Sequence, residues 1–189
     1  MKTIQLFITI ALLSFLTTNA QITKGNWMVG GNLKYSKSKT EFTSNNNTQT
    51  QEGSGLNLTS NIGYFPIDKF AVGITPYFSF NNPEGSNKSI GYGVGPFVRY
   101  YFLKTENRIN LFSHVEYQYG NGYSDGKKTS NNNSFNFKAG PSIFFNSSVA
   151  LEFTLEYQLS DYDYLSGSGS QYKFTNFNIG VGFQIHLEK

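Results

Sequence analysis

Two histidines, His114 and His186, bound the proton-transfer chemistry open to this chain. A hydrolytic imidazole needs a hydroxyl nucleophile and a carboxylate disposed around it. Neither histidine has a serine and an acid neighbour in a recognisable catalytic pattern, so both read as side chains packed in a polar interior. Asp161–Tyr162–Asp163 offers two carboxylates but lacks the glycine and bidentate glutamate of a calcium loop, and reads as a solvated acidic stretch. The absence of cysteine removes thiolate metal sites, disulfides and lipid attachment at a thiol. No phosphate-cradling loop and no basic–aromatic patch occurs, so no cofactor and no nucleic-acid partner is expected. Triplets such as Asn57–Leu58–Thr59 carry little weight in so asparagine-rich a chain. What remains is a balanced set of ionisable residues, Lys34, Arg99, His114, Glu116, Lys138, Glu152, Glu156 and His186, scattered through strand-like segments. The elements that carry them decide what they do.

The first twenty residues have the pattern of an export signal. Lys2 supplies the positive start, Ile4 to Leu16 a mostly apolar stretch, and Thr18 and Ala20 the small residues before a cut after Ala20. The stretch is shorter than the roughly 20 residues a membrane helix needs. The expected mature domain is therefore 21–189, one domain in length. Loss of Lys2 lowers the formal charge from +3 to +2, with both signs dispersed. Aromatics reach 17% while charged residues are 14%, yet mean hydropathy is −0.37. An alternating pattern reconciles these values, because it hides an apolar face from any window average.

At period two the chain resolves into eight segments, 27–36, 55–65, 70–80, 90–102, 109–120, 134–145, 149–159 and 173–187. Tight turns are expected at 66–69, 103–108 and 146–148. Longer polar loops are expected around Asn45–Asn46–Asn47, Asn81–Asn82–Pro83, Asp125–Gly126–Lys127–Lys128 and Ser166–Gly167–Ser168–Gly169–Ser170. One face collects Trp27, Leu33, Tyr35, Val98, Tyr100, Leu111, Phe137, Phe153, Ile179 and their like, and carries no charge. The opposite face holds the ionisable set, amides and many glycines, with Phe97, Tyr101, Phe112 and Phe144 adding bulk towards the tight turns.

Volume decides which face points inward. Eight strands enclose a lumen just wide enough for packed side chains or one small ligand. The apolar set is too large for it; glycines and a limited polar set fit. The expected fold is all-β, an eight-stranded antiparallel up-and-down transmembrane β-barrel with its apolar face towards lipid. Aromatics near both segment ends form the two interfacial girdles. Gly25–Asn26–Trp27 matches the opening of soluble lipocalin barrels, the runner-up fold, which the volume argument opposes. Pro76, Pro96 and Pro141 fall inside segments and lead us to expect bulges. Pairing across the turn at 147 sets Lys138 opposite Glu156 and Ser142 opposite Glu152, from which an inward ion pair, Lys138–Glu156, is expected.

Several stretches resemble the small outer-membrane β-barrel family that includes OmpX-like and OmpA-like barrels. They are Gly63–Tyr64–Phe65–Pro66 running into Lys69–Phe70–Ala71–Val72–Gly73, the run Gly95–Pro96–Phe97–Val98–Arg99–Tyr100–Tyr101–Phe102, and the closing Asn178–Ile179–Gly180–Val181–Gly182–Phe183. The chain departs from that family's common aromatic ending, with Leu187 followed by Glu188–Lys189. The resemblance implies a Gram-negative outer-membrane location, contact with outer-membrane lipids and the barrel-insertion machinery, and surface loops for an unknown partner. The inward charges balance at three of each sign, and with the bulk of Phe97, Tyr101, Phe112 and Phe144 this leads us to expect a non-enzymatic anchor with a plugged lumen. A narrow pore is the alternative and a lipid-modifying enzyme comes third.

Overall fold

The computed structural model describes residues 22–44, 47–165 and 170–188, antiparallel strands joined by turns. In chain order these are β1 (Trp27–Ser44), β2 (Asn47–Ile67), β3 (Phe70–Ile74), β4 (Tyr77–Pro83), β5 (Ser89–Val94), β6 (Pro96–Tyr101), β7 (Ile109–Ser124), β8 (Lys127–Phe144), β9 (Val149–Tyr164) and β10 (Gln171–Leu187). β3 and β4 form one wall strand interrupted at Thr75–Pro76, and β5 and β6 another interrupted at Gly95. Every wall strand pairs with its sequence neighbours, and β1 also pairs with β10, so eight strands form a ring. The expected export segment 1–20 lies outside the described residues.

The outer wall is apolar: Val98, Leu111, Phe137, Phe153 and Leu155 are all exposed. Arg99, His114, Glu116 and Glu152 are buried inside. Trp27, which a lipocalin would bury, is 47% exposed on the outer face. The soluble-carrier alternative is therefore set aside.

The prolines behave differently from expectation. Opposing residue numbers keep the same sum on both sides of Pro76 and Pro96, so no extra residue is inserted at either. At Pro141 the pairing to β9 lapses between Ala139 and Ser142 and resumes in unchanged register. Proline removes a donor but not an extended backbone. Flanking bonds close the gap at Pro76, where Ser60 N donates to the Pro76 carbonyl at 3.0 Å and Thr75 N to the Gly95 carbonyl at 2.8 Å. Register shifts fall elsewhere, between Tyr64 and Ile67 and between Gly122 and Tyr123.

The polar connections also differ. Much of 37–54 and 120–133 is ladder, with Lys37 opposite Ser54, Thr43 opposite Thr48 and Gly120 opposite Asn132. β7 reverses into β8 over Asp125–Gly126, with φ of 50° and 72°. That is the left-handed pair a two-residue hairpin turn requires, and Asp–Gly is among the sequences that supply it. These hairpins extend beyond the apolar band as polar β-ribbons.

The chain from Gln21 onward is expected to refold only in detergent micelles or lipid, with β-rich circular dichroism and heat-modifiable gel migration. The large exposed apolar wall requires an amphiphile. A monodisperse monomer in detergent-free buffer would overturn the orientation of the two faces.

Candidate functional site

The lumen is layered. At the turn end it is filled by Ile22, Met28, Phe65, Ala71, Phe97, Tyr101, Phe112, Phe144 and Ala150, all buried. The stretch before β1 folds beneath the ring to contribute: Lys69 N donates to the Ile22 carbonyl at 2.8 Å and Gly25 N to the Phe65 carbonyl at 2.9 Å. Phe97 fits because Gly63 and Gly73 lie beneath it; a Cβ at either would come within 2.7 Å of the ring. His186 sits in this layer against Phe65 and Phe144, with ring centroids 5.9 and 5.3 Å apart. It serves there as an aromatic filler.

Above the plug lies an ion-pair network. Arg99 Nη1 donates to both oxygens of Glu152 at 2.7 and 3.0 Å, while its Nε donates to His114 Nδ1 at 3.1 Å. Its guanidinium carbon lies 4.4 Å from the Phe112 ring centre. Since Arg99 only donates, His114 Nδ1 accepts, and the ring proton sits on Nε2, which bonds Glu116 Oε2 at 2.9 Å. Glu116 also accepts from Lys138 Nζ and from Asn136 Nδ2, each at 2.8 Å, and Thr75 Oγ1 lies 3.2 Å from Oε2. Ser142 Oγ donates to Glu152 Oε1 at 3.3 Å.

The pairing of Lys138 with Glu156 across β8 and β9 is present, as is that of Ser142 with Glu152. The ion pair is not the expected one. Lys138 reaches Glu116, diagonally across on β7, and not Glu156. Glu116 is almost fully buried whereas Glu156 is half-buried, so the deeper carboxylate has less water to compensate it and takes the ammonium. Lys34 also departs from expectation. Pairing of β1 with β10 ends at Gly31 opposite Phe183, and Lys34, beyond that rung, is exposed and outside the network. Arg99, His114, Glu116, Lys138 and Glu152 come together; Glu156 borders them and His186 joins the plug.

Asn136 belongs to the amides that alternation places inward, whereas Thr75 and Ile22 were not singled out by sequence. Thr75 was inferable, since Ile74 and Pro76 on the apolar face leave it pointing inward. Ile22 precedes any alternating segment and gave no periodic signal.

Towards the hairpin end the lumen widens into a cup of about 320 Å³ whose lining among the described residues, including Asn57, Tyr77, Ser79, Asn132 and Tyr162, has no charged side chain. The Tyr77 hydroxyl donates to Asn132 Oδ1 at 2.9 Å, its ring lying over Gly93 and Gly120. With both His114 nitrogens engaged and Thr75 bonded to Glu116 rather than to the imidazole, the network supplies no free base beside a nucleophile.

Arg99→Met and Glu152→Gln are each expected to lower stability by roughly 3–5 kcal/mol, the cost of orphaning a buried ion partner. The double variant should lose less than the sum. Urea titration in micelles checks this, and the same cycles should show stronger coupling for Lys138 with Glu116 than with Glu156. Additive losses would mean that the pairs are not energetically joined.

No curated protein matches the sequence closely enough to count as a relative. Among solved structures the chain is similar to the outer membrane protein OprG from Pseudomonas aeruginosa, with TM-score 0.56 and 12% identity over 90% of this chain and 100% of that one. It is also similar to Neisserial surface protein A, with TM-score 0.54 and 10% identity over 86% of this chain and 97% of that one. At such identities the likeness concerns the fold alone. The family described as outer membrane protein beta-barrel domain matches residues 7–184. A match of that extent, on a ring that is apolar outside and polar within, makes this chain a member of the outer membrane protein beta-barrel family.

Proposed function

We propose that the protein is a non-enzymatic integral outer-membrane barrel with a plugged lumen, which anchors rigid polar hairpins and presents them to a partner outside the cell. The observation that carries this reading is the double closure of the lumen. Among the described residues, nine buried apolar side chains fill the turn end, and a layer holding the Arg99–Glu152 and Lys138–Glu116 ion pairs lies above them. A conducting path would need small side chains and mobile water through both layers. In this reading the tight turns face the periplasm and the hairpins face outward, the arrangement usual for such barrels. Outer-membrane lipids surround the apolar wall, the barrel-insertion machinery assembles it, and an export signal ending near Ala20 is removed beforehand. The partner is a component of the envelope, a host or another cell, engaged by Asn-, Ser-, Thr- and Lys-rich ribbon surfaces.

Purified protein in a planar bilayer is expected to pass no steady current, whereas Phe65→Ala with Phe144→Ala, which thins the plug, should raise brief openings. A steady wild-type conductance would replace this reading with that of a pore. Trypsin added to intact cells should cut at Lys127 or Lys128 beside the β7–β8 turn and spare Lys69 and Lys104. Cleavage confined to the latter two would invert the topology.

A further inference from the structure

The ring is joined unevenly. β1 and β10 pair over only five rungs, from Trp27 opposite Leu187 to Gly31 opposite Phe183. Above that level β1 pairs only with β2, as far as Ser44, and β10 only with β9, as far as Gln171. Opposing numbers in the five rungs sum to 214. Continued upward, that register sets Asn32 opposite Gly182 and ends with Thr43 opposite Gln171, the first residue of β10. The two free edges are therefore matched in length and register.

Three observations point to a joined form. The outward apolar residues beside the open edges are the most exposed on the wall: Leu33 68%, Phe177 65% and Ile179 77%, against 44% for Val98 and Phe137. In the continued register Leu33 meets Val181 and Tyr35 meets Ile179, so apolar residues would cover one another. Backbone groups left unpaired at lipid depth have no water to bond, and open edges are not tolerated there. On the inner side, Gly180 would stand opposite Lys34, and a Cβ there would meet no atom within 4 Å. Beneath lies a void of about 80 Å³ bordered by Asn32, Lys138, Glu156 and Gly180. Glu156, half-buried on β9, forms no ion pair within 4.0 Å among the described residues.

We propose that the β1–β10 seam zips in the bilayer in the register of its lower rungs, carrying Lys34 across Gly180 into the lumen as the counter-ion of Glu156. Strands stand about 4.8 Å apart, so Lys34 must bridge two strand spacings and, because Glu156 pairs with Asn178 and not with Gly180, a diagonal step of two residues along the strand. A lysine stem lying over a glycine, meeting a glutamate that leans towards it, covers that distance. The Lys34–Glu156 pair is then the latch that holds the zipped seam closed.

The chain has no cysteine, which makes the test direct. Leu33→Cys with Val181→Cys probes the open level, and Val29→Cys with Ile185→Cys the paired level. The two pairs lie four residues apart, hence at the same kind of ladder position. Oxidation in liposomes, read as a gel shift after denaturation, is expected to cross-link both at comparable rates. Leu33→Cys with Phe177→Cys, out of register, should cross-link at least tenfold more slowly. Cross-linking of the lower pair alone would overturn the zipped seam. Adding Lys34→Met to the upper pair should slow cross-linking several-fold, with Lys34→Arg restoring it. An unchanged rate for Lys34→Met would leave the seam without the latch and overturn that assignment.

Discussion

Inside a bilayer a backbone N–H or C=O has no water to fall back on, and each one left unpaired costs several kcal/mol. A sheet satisfies this demand only when its two edges meet, so the meeting of β1 and β10 is the condition on which everything else depends. Once the sheet curls, the pleat separates its side chains into two populations by parity. One sees lipid and tolerates no charge; the other shares a lumen narrow enough that every side chain must fit its neighbours. The contrast between Leu111, exposed on the wall, and Asn110, fully buried one residue earlier, is this constraint acting on consecutive positions.

The lumen meets its own version of the same problem. Its charges are removed from bulk water by the plug below and the wall around them, and a buried ion left alone is strongly destabilising. Arg99 and Glu116 solve this by being shared. The guanidinium joins Glu152 to His114 and stacks on Phe112, while Glu116 gathers His114, Lys138 and Asn136. His114 links the two centres through opposite ring nitrogens, so β6, β7, β8 and β9 are tied by one continuous set of bonds. Glycine takes part by absence: the ring of Phe97 occupies the space that side chains at Gly63 and Gly73 would fill, and it then stacks on His114 at 4.7 Å. Plug and network are thus one packed object.

Parity made much of this legible. Alternation with a charge-free face yields the strands, their order and the orientation of both faces, and the turn at 147 yields the β8–β9 register, with Lys138 opposite Glu156 and Ser142 opposite Glu152. A cross-strand pairing does not say which of several carboxylates a long lysine will choose. That depends on depth, and depth is a property of the closed ring, so Glu116 rather than Glu156 receives Lys138. The upper ribbons were hidden for another reason. Beyond the lipid both faces are polar, the period-two contrast vanishes, and strand looks like loop; only Asp125–Gly126 betrayed the hairpin. Proline misled because its missing donor suggested an inserted residue, whereas bonds from Ser60 and Thr75 let the wall pass Pro76 in unbroken register.

The proposed presentation of hairpins suits this architecture for a related physical reason. A coil loop would lose its order where the membrane ends, but a ladder continued outward from β7 and β8 keeps its side chains at fixed spacing and on fixed sides. The shift between Gly122 and Tyr123 leaves Thr129 as an extra residue in β8, and such an insertion bends and twists a ribbon. Rigidity below is what makes that bend reproducible. The network holds β7 and β8 against their neighbours through Glu116, Lys138 and Asn136, so the ribbon emerges from a base whose side chains are already committed. A partner binding the ribbon would then lose little further conformational entropy from it, which is the physical gain of building a recognition surface from strands rather than loops.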